Sequence, residues 1–309
     1  MNTASATSLS FSSRLASNIQ SRGSAACIGL DPRRDQLPSC LGANPAVDPK
    51  NLAAIYTRFC CDIIDVVAPL VPIVKPQLAC FEMLGPHGMT SLADVIAHAH
   101  AKGLLVLADG KRGDIGSTAE AYADGWLAGP WGTDALTVNP YLGLDSIEPF
   151  VKLASERNAG IFVLVKTSNP GSKDFQELLA DGRTLYQHVA TGVEQFAART
   201  AAGETYGAVG AVVGATWPRQ LDELRAAMPH TWILVPGFGK QGGRAADVRG
   251  AFHPDGLGAL VVSARDVIFA HTRPEMNAGL APGQWQTAVE RACRDMIDRL
   301  AADTPAGTL

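Results

Sequence analysis

Two acids and a lysine stand together in the run Asp109-x-Lys111-x-x-Asp114. If a strand ends here, positions i and i+2 point the same way, so Asp109 and Lys111 are expected to face one side while Asp114 rides on the following loop. Lys75, near the end of an earlier apolar run, completes an array of two carboxylates and two ammonium groups. Held a few ångströms apart in a sheltered place, such groups keep one another ionised and can stabilise charge that develops in a reaction. The same residues could form a structural ion-pair network, but buried ion pairs are poor stability devices. A second constellation is the glycine-rich turn from Gly237 to Gly243, with Arg265 further on. Freed backbone N–H groups and one guanidinium suit a phosphate dianion. No Gly-Lys-Ser/Thr follows at Walker spacing, which disfavours a nucleoside triphosphate. Ser168 has no elbow motif and no evident His/Asp partner, so it reads as a donor to a planar ligand rather than a nucleophile. The seven histidines show only one close pair, His98 and His100, which diverge on a helix and are expected to be surface or packing residues.

These groups need a scaffold that brings strand ends together. Eight short apolar runs, each followed by a turn signal and a stretch of helical period, predict strands at 25–30, 73–78, 104–108, 135–138, 161–165, 208–213, 232–235 and 259–262. Helices are expected near 50–68, 89–101, 117–128, 145–156, 181–199, 217–228, 241–251 and 284–301. Eight β–α units without a linker suit an α/β fold, a (β/α)₈ TIM barrel forming one domain over 1–309, with its core at about 24–302 and a flexible tail at 303–309. Phe11, Leu15 and Ile19 recur at helical spacing, predicting an extra N-terminal helix that closes one end, and an extra helix is expected at the C-terminus. The rival is a doubly wound open sheet. In the barrel, active sites lie on the loops after the strands, where Asp31, Lys75, Asp109, Lys111, Asp114, Ser168, the Pro236–Gly243 turn and Arg265 all fall.

Composition narrows the partners. The 309 residues are 47% hydrophobic and 18% charged, which excludes a disordered chain. A net charge of −4 offers no broad basic surface for a nucleic-acid polymer. The six cysteines form no CxxC and are expected to be reduced thiols. No apolar run reaches the length of a membrane span, and although residues 1–30 are rich in serine, carry Arg14 and Arg22 and lack Asp and Glu, the expected location is the cytoplasm.

The motifs are specific enough to carry a resemblance. Gly29-Leu-Asp-Pro-Arg33, Leu107-Ala-Asp-Gly-Lys-Arg-Gly-Asp-Ile-Gly-Ser-Thr-Ala119, Val165-Lys-Thr-Ser-Asn-Pro-Gly171 and Val235-Pro-Gly-Phe-Gly-Lys-Gln-Gly-Gly243 occur in order, and with them the chain resembles the orotidine 5′-phosphate decarboxylase family, in its longer bacterial subfamily (type 2). The resemblance implies a decarboxylase that converts orotidine 5′-phosphate to UMP in pyrimidine biosynthesis, with no cofactor and no metal. It implies Lys75, Asp109, Lys111 and Asp114 as the catalytic tetrad, and a homodimer in which Asp114 and Thr118 reach into the partner subunit's site. Asp31 would hold the ribose, Ser168 the pyrimidine, and Gln241 and Arg265 the phosphate, with Pro236 and Gly239 as further substrate contacts. The alternatives are a metal-dependent phosphosugar barrel with a similar acid–base run, and a catalytically idle nucleotide-binding barrel.

Overall fold

All eight apolar runs form parallel strands: β1 (Ala26–Leu30), β2 (Ile73–Pro76), β3 (Leu105–Arg112), β4 (Ala135–Val138), β5 (Gly160–Lys166), β6 (Val209–Val213), β7 (Ile233–Val235) and β8 (Ala259–Ser263). In this computed structural model, which describes residues 9–42, 44, 46–239, 242–281 and 283–309, they follow one another around a closed barrel. Closure is made by β1 on β8, in the register Ala26 opposite Val261 and Cys27 opposite Val262. That pairing rules out the open doubly wound sheet. Every residue of β1, β4 and β8 is buried, as parallel strands covered by helices require.

Two apolar cores result. Inside the barrel, Ile73, Leu107, Phe162, Leu234 and Leu260 pack in layers. Outside it, strands pack against the covering helices α2 (Pro49–Val67), α3 (Gly85–Ala101), α4 (Gly116–Trp126), α5 (Leu144–Glu156), α6 (Leu185–Ala201), α7 (Pro218–Ala227) and α8 (Trp285–Asp303). The N-terminal helix α1 (Phe11–Arg22) plugs the end of the barrel opposite the strand-end loops. Its Phe11, Leu15 and Ile19 are all buried, and Phe11 meets Phe162 edge-on at 6.2 Å. Asp134, just before β4, ties the plug down by accepting from Arg14 at 2.5 Å and from the Val106 N–H at 2.8 Å, with the His100 ring at 2.9 Å.

Three expected elements differ. The start of the 181–199 helix is a hairpin, with Leu179–Ala180 paired to Arg183–Thr184 around Asp181 and Gly182 at positive φ. Helix α6 then begins at Leu185, where the Gln187 side chain accepts from the Thr184 N–H at 2.8 Å. Among the described residues of the expected 241–251 helix only Ala246–Ala251 is helical, as a 3₁₀ segment. Its Gly250 backbone lies so close to the Asp222 carboxylate that a Cβ would meet it at 1.8 Å, a tight contact to α7 that helical period cannot reveal. Residues Pro305–Thr308 fold into a 3₁₀ turn with Ala306 buried, where the sequence suggested a tail.

Candidate active site

The strand-end loops surround a cavity of about 1130 Å³, slightly larger than the roughly 300–1,000 Å³ usual for small-molecule sites. At its floor sits Asp109, with two cations on its two oxygens. Lys75 Nζ lies 2.6 Å from Oδ2 and Lys111 Nζ lies 2.6 Å from Oδ1. Two neutral groups complete the cradle, Gln77 Nε2 donating to Oδ2 at 3.1 Å and the Thr137 hydroxyl to Oδ1 at 3.1 Å. Burial alone would raise the Asp109 carboxyl, but Lys75 and Lys111 more than offset it and hold the group well below the usual carboxylate range. Burial likewise works against a charged Lys75, yet Asp109 and Asp31 raise it above an ordinary lysine. The floor therefore carries fixed, alternating charge.

Asp109 and Lys111 converge as the sequence predicted, but not through plain strand alternation. The β3–β4 register runs from Ala108 opposite Leu136 to Arg112 opposite Val138, so β3 bulges between them and Lys111 adopts a left-handed φ of 47°. Beside the floor, Asp31 lines the cavity with a buried Oδ1 that has no hydrogen-bond partner among the described residues. A buried acceptor of this kind is open to a donor from water or from a ligand.

Ser168 lines the wall after β5 and is held from behind. Thr216 donates to its carbonyl at 3.2 Å, and Gly214 passes so close that a Cβ there would lie 2.7 Å from Ser168 Cα. The preceding Thr167 exchanges hydrogen bonds with the Gln176 side chain at 2.9 Å each, and its carbonyl accepts from Trp217 Nε1 at 2.8 Å. Lys166 is fully buried outside the cavity lining. It donates to Ser172 and Glu177 at 2.9 and 2.8 Å, and stands 4.3 Å above the Trp217 ring. Lys166 is thus a clip for the excursion between β5 and α6.

On the remaining side, Pro236, Gly237, Phe238 and Arg265 line the cavity. Arg265 opens the short helix Arg265–Ile268 and makes no ion pair among the described residues, leaving its guanidinium available to an anion. Gly239 stands outside the lining, and its N–H donates to the Gly243 carbonyl at 2.9 Å. Gln241 lies outside the described residues. Asp114 and Thr118 also fall outside this cavity; Asp114 accepts from the Ile115 N–H at 2.8 Å, and Thr118 is exposed on α4.

Sequence reasoning did not single out Gln77 or Thr137, lone polar residues with no motif of their own. His188, expected at the surface or in packing, lines the cavity, with Nε2 2.8 Å from the Ala180 carbonyl. The six cysteines are all free, and burial pushes Cys27, beneath the charged floor, up to about 12.

A charged array and a guanidinium without an ion pair among the described residues, lining one cavity at the strand ends of a closed barrel, define a (β/α)₈-barrel enzyme that handles a small anionic ligand. The profile of the Orotidine 5′-phosphate decarboxylase / HUMPS family matches residues 25–278, and the chain belongs to this family. It is 54% identical over 299 residues to the orotidine 5′-phosphate decarboxylase of Rhodopirellula baltica, covering 94% of this chain and 99% of that one. To the enzyme of the same name from Deinococcus radiodurans it is 45% identical over 251 residues, 81% of this chain and 86% of the other. The solved OMP decarboxylase of Leishmania donovani superposes with a TM-score of 0.74 at 31% identity, covering 96% of this chain and 98% of that one.

Proposed function

We propose that this cavity performs the reaction its relatives are named for, decarboxylation of orotidine 5′-phosphate to UMP and CO₂, the last step of de novo UMP biosynthesis. The observation that carries the reading is Asp109 fixed between Lys75 and Lys111 at 2.6 Å from each. Loss of CO₂ breaks the bond from C6 to the carboxylate carbon and leaves an electron pair in the ring plane, where no carbonyl can delocalise it. Pre-arranged charge must do that work. Lys111 stabilises the developing carbanion and gives its proton to C6, then regains one from water. Asp109 lies beside the departing carboxylate, so repulsion between like charges is relieved as neutral CO₂ forms. The unpaired Asp31 oxygen accepts from a ribose hydroxyl, Ser168 contacts the pyrimidine, and Arg265 with Gln241 and the Pro236–Gly239 segment grips the phosphate. That remote grip supplies binding energy for positioning the ring.

Asp114 and Thr118 act in the partner subunit's site of a homodimer, an assignment supported by their position outside their own cavity. We take the whole chain, 1–309, as one barrel domain working in the cytoplasm; among the described residues no helix is long and apolar enough to cross a membrane. No cofactor or metal enters the scheme. The deciding assay incubates pure protein with orotidine 5′-phosphate and EDTA and follows UMP. Steady conversion is the expected result, whereas activity only on a hexulose phosphate and lost to the chelator would assign the metal-dependent alternative, and UMP binding without turnover the idle one.

A further inference from the structure

We propose that Thr137 is a positioning residue for this reaction, tying the Lys111 backbone to the Asp109 carboxylate so that the ammonium is aimed at the reacting carbon. The proposal rests on the assignment of Lys111 as proton donor. Between the register points Ala108–Leu136 and Arg112–Val138, β3 advances four residues while β4 advances two, and Thr137 is the single β4 residue in that interval. The bulge takes the Lys111 N–H out of the regular ladder, and the Thr137 hydroxyl accepts it at 2.8 Å. The same oxygen donates its one proton to Asp109 Oδ1 at 3.1 Å. A backbone N–H only donates and an ionised carboxylate only accepts, so the hydroxyl has one possible orientation. Lys111 sits at φ 47°, a conformation that a residue with a Cβ keeps only when its surroundings hold it. Thr137 is 1% exposed, so its hydroxyl is spent on these two partners rather than on bulk solvent. One buried hydroxyl therefore links the two charged residues of the floor and holds the bulge that presents one of them.

Two substitutions separate this role from packing. Thr137→Val keeps the shape and β-branching but removes the hydroxyl; Thr137→Ser keeps the hydroxyl. With orotidine 5′-phosphate, Thr137→Val is expected to lower kcat about 10- to 100-fold, the scale of a small misplacement of a reacting group, with KM and the Kd for UMP within about threefold. Thr137→Ser is expected to stay within about threefold of the native kcat. Amide exchange at Lys111 in labelled protein is expected to quicken about tenfold or more in the Val variant and not in the Ser variant. Thr137→Ala serves as the second hydroxyl-free form if the Val chain does not fold, with the same expected loss. Native kcat in a folded hydroxyl-free variant, or equal loss in Ser and Val, overturns the proposal. A native protein that does not turn over orotidine 5′-phosphate would instead overturn the function, and the Lys111 exchange would still report whether the tie exists.

Discussion

Lys111 is the residue whose removal separates chemistry from binding. Lys111→Ala takes away the proton donor and the stabilising charge while Lys75 still neutralises Asp109, so kcat is expected to fall at least about 100-fold with UMP binding largely kept; stopped-flow or radiometric turnover beside UMP calorimetry measures both. Arg265→Gln acts at the other end. Losing a charged hydrogen-bond donor to phosphate, worth about 1.5–3 kcal/mol, is expected to lower kcat/KM about 10- to 100-fold and to weaken UMP binding to a similar extent. The floor also sets a pH expectation. Asp109 has a depressed carboxyl, so its contribution to stability is present above the unfolded value near about 3.9 and is lost as pH falls through the folded one. Lys75 is raised, so its contribution is present below the unfolded value near about 10.4 and is lost as pH rises through the folded one. Between about pH 5 and 9 neither changes charge. A bend in kcat/KM inside that window that disappears in Asp109→Asn would contradict this account. Asp109 and Lys111 were legible in the chain because one strand end presents them two residues apart, and Lys75 because it stands at the end of another apolar run. Gln77 and Thr137 were not, because each becomes a partner of Asp109 only through strand neighbours 32 and 28 residues away.

Helix α1 and the excursion after β5 are the elements whose attachment can be tested. The plug depends on Asp134, whose carboxyl is held below the usual range: burial opposes this, and the His100 and Arg14 partners overcome it. Asp134→Asn is expected to cost about 1–3 kcal/mol at pH 7. Because the depressed group contributes above the unfolded value near about 3.9 and loses that contribution as pH falls through the folded value, the difference between native and variant should shrink steadily below about pH 4. Urea titrations at several pH values measure it. For the excursion, Lys166→Met removes the clip to Glu177 and Ser172 while keeping much of the apolar stem beside Trp217. Cleavage by a protease between Pro170 and Thr184 is expected to speed up, with KM rising more than kcat falls. The hairpin at 179–184 escaped the sequence pattern because Leu185, Val189 and Val193 recur at helical spacing without marking where the helix starts, whereas Asp181-Gly182 adopts a turn. In the 3₁₀ segment at Ala246–Ala251, close contact with α7 prevails over the same period.

At the scale of the whole molecule, shared sites can be tested by complementation. If Asp114 serves the partner's cavity, Lys111→Ala and Asp114→Ala homodimers are each inactive, yet a mixed dimer holds one site with both defects and one with neither. Random subunit exchange should then restore up to about one quarter of native activity, measured after mixing and equilibration; no recovery despite exchange places Asp114 in its own site. The chain alone determined the eight strands, their order and the side on which the charged motifs emerge, since apolar period and strand-end chemistry are local properties written in consecutive residues. Tertiary structure alone decided that β1 closes on β8, that β3 bulges over Thr137, that Lys166 turns away from the cavity to hold a loop, and that one Asp31 oxygen has no hydrogen-bond partner among the described residues. Each of these depends on which distant segments become neighbours, and that is set by barrel closure and the packing of side chains from different strands, which residue spacing does not record.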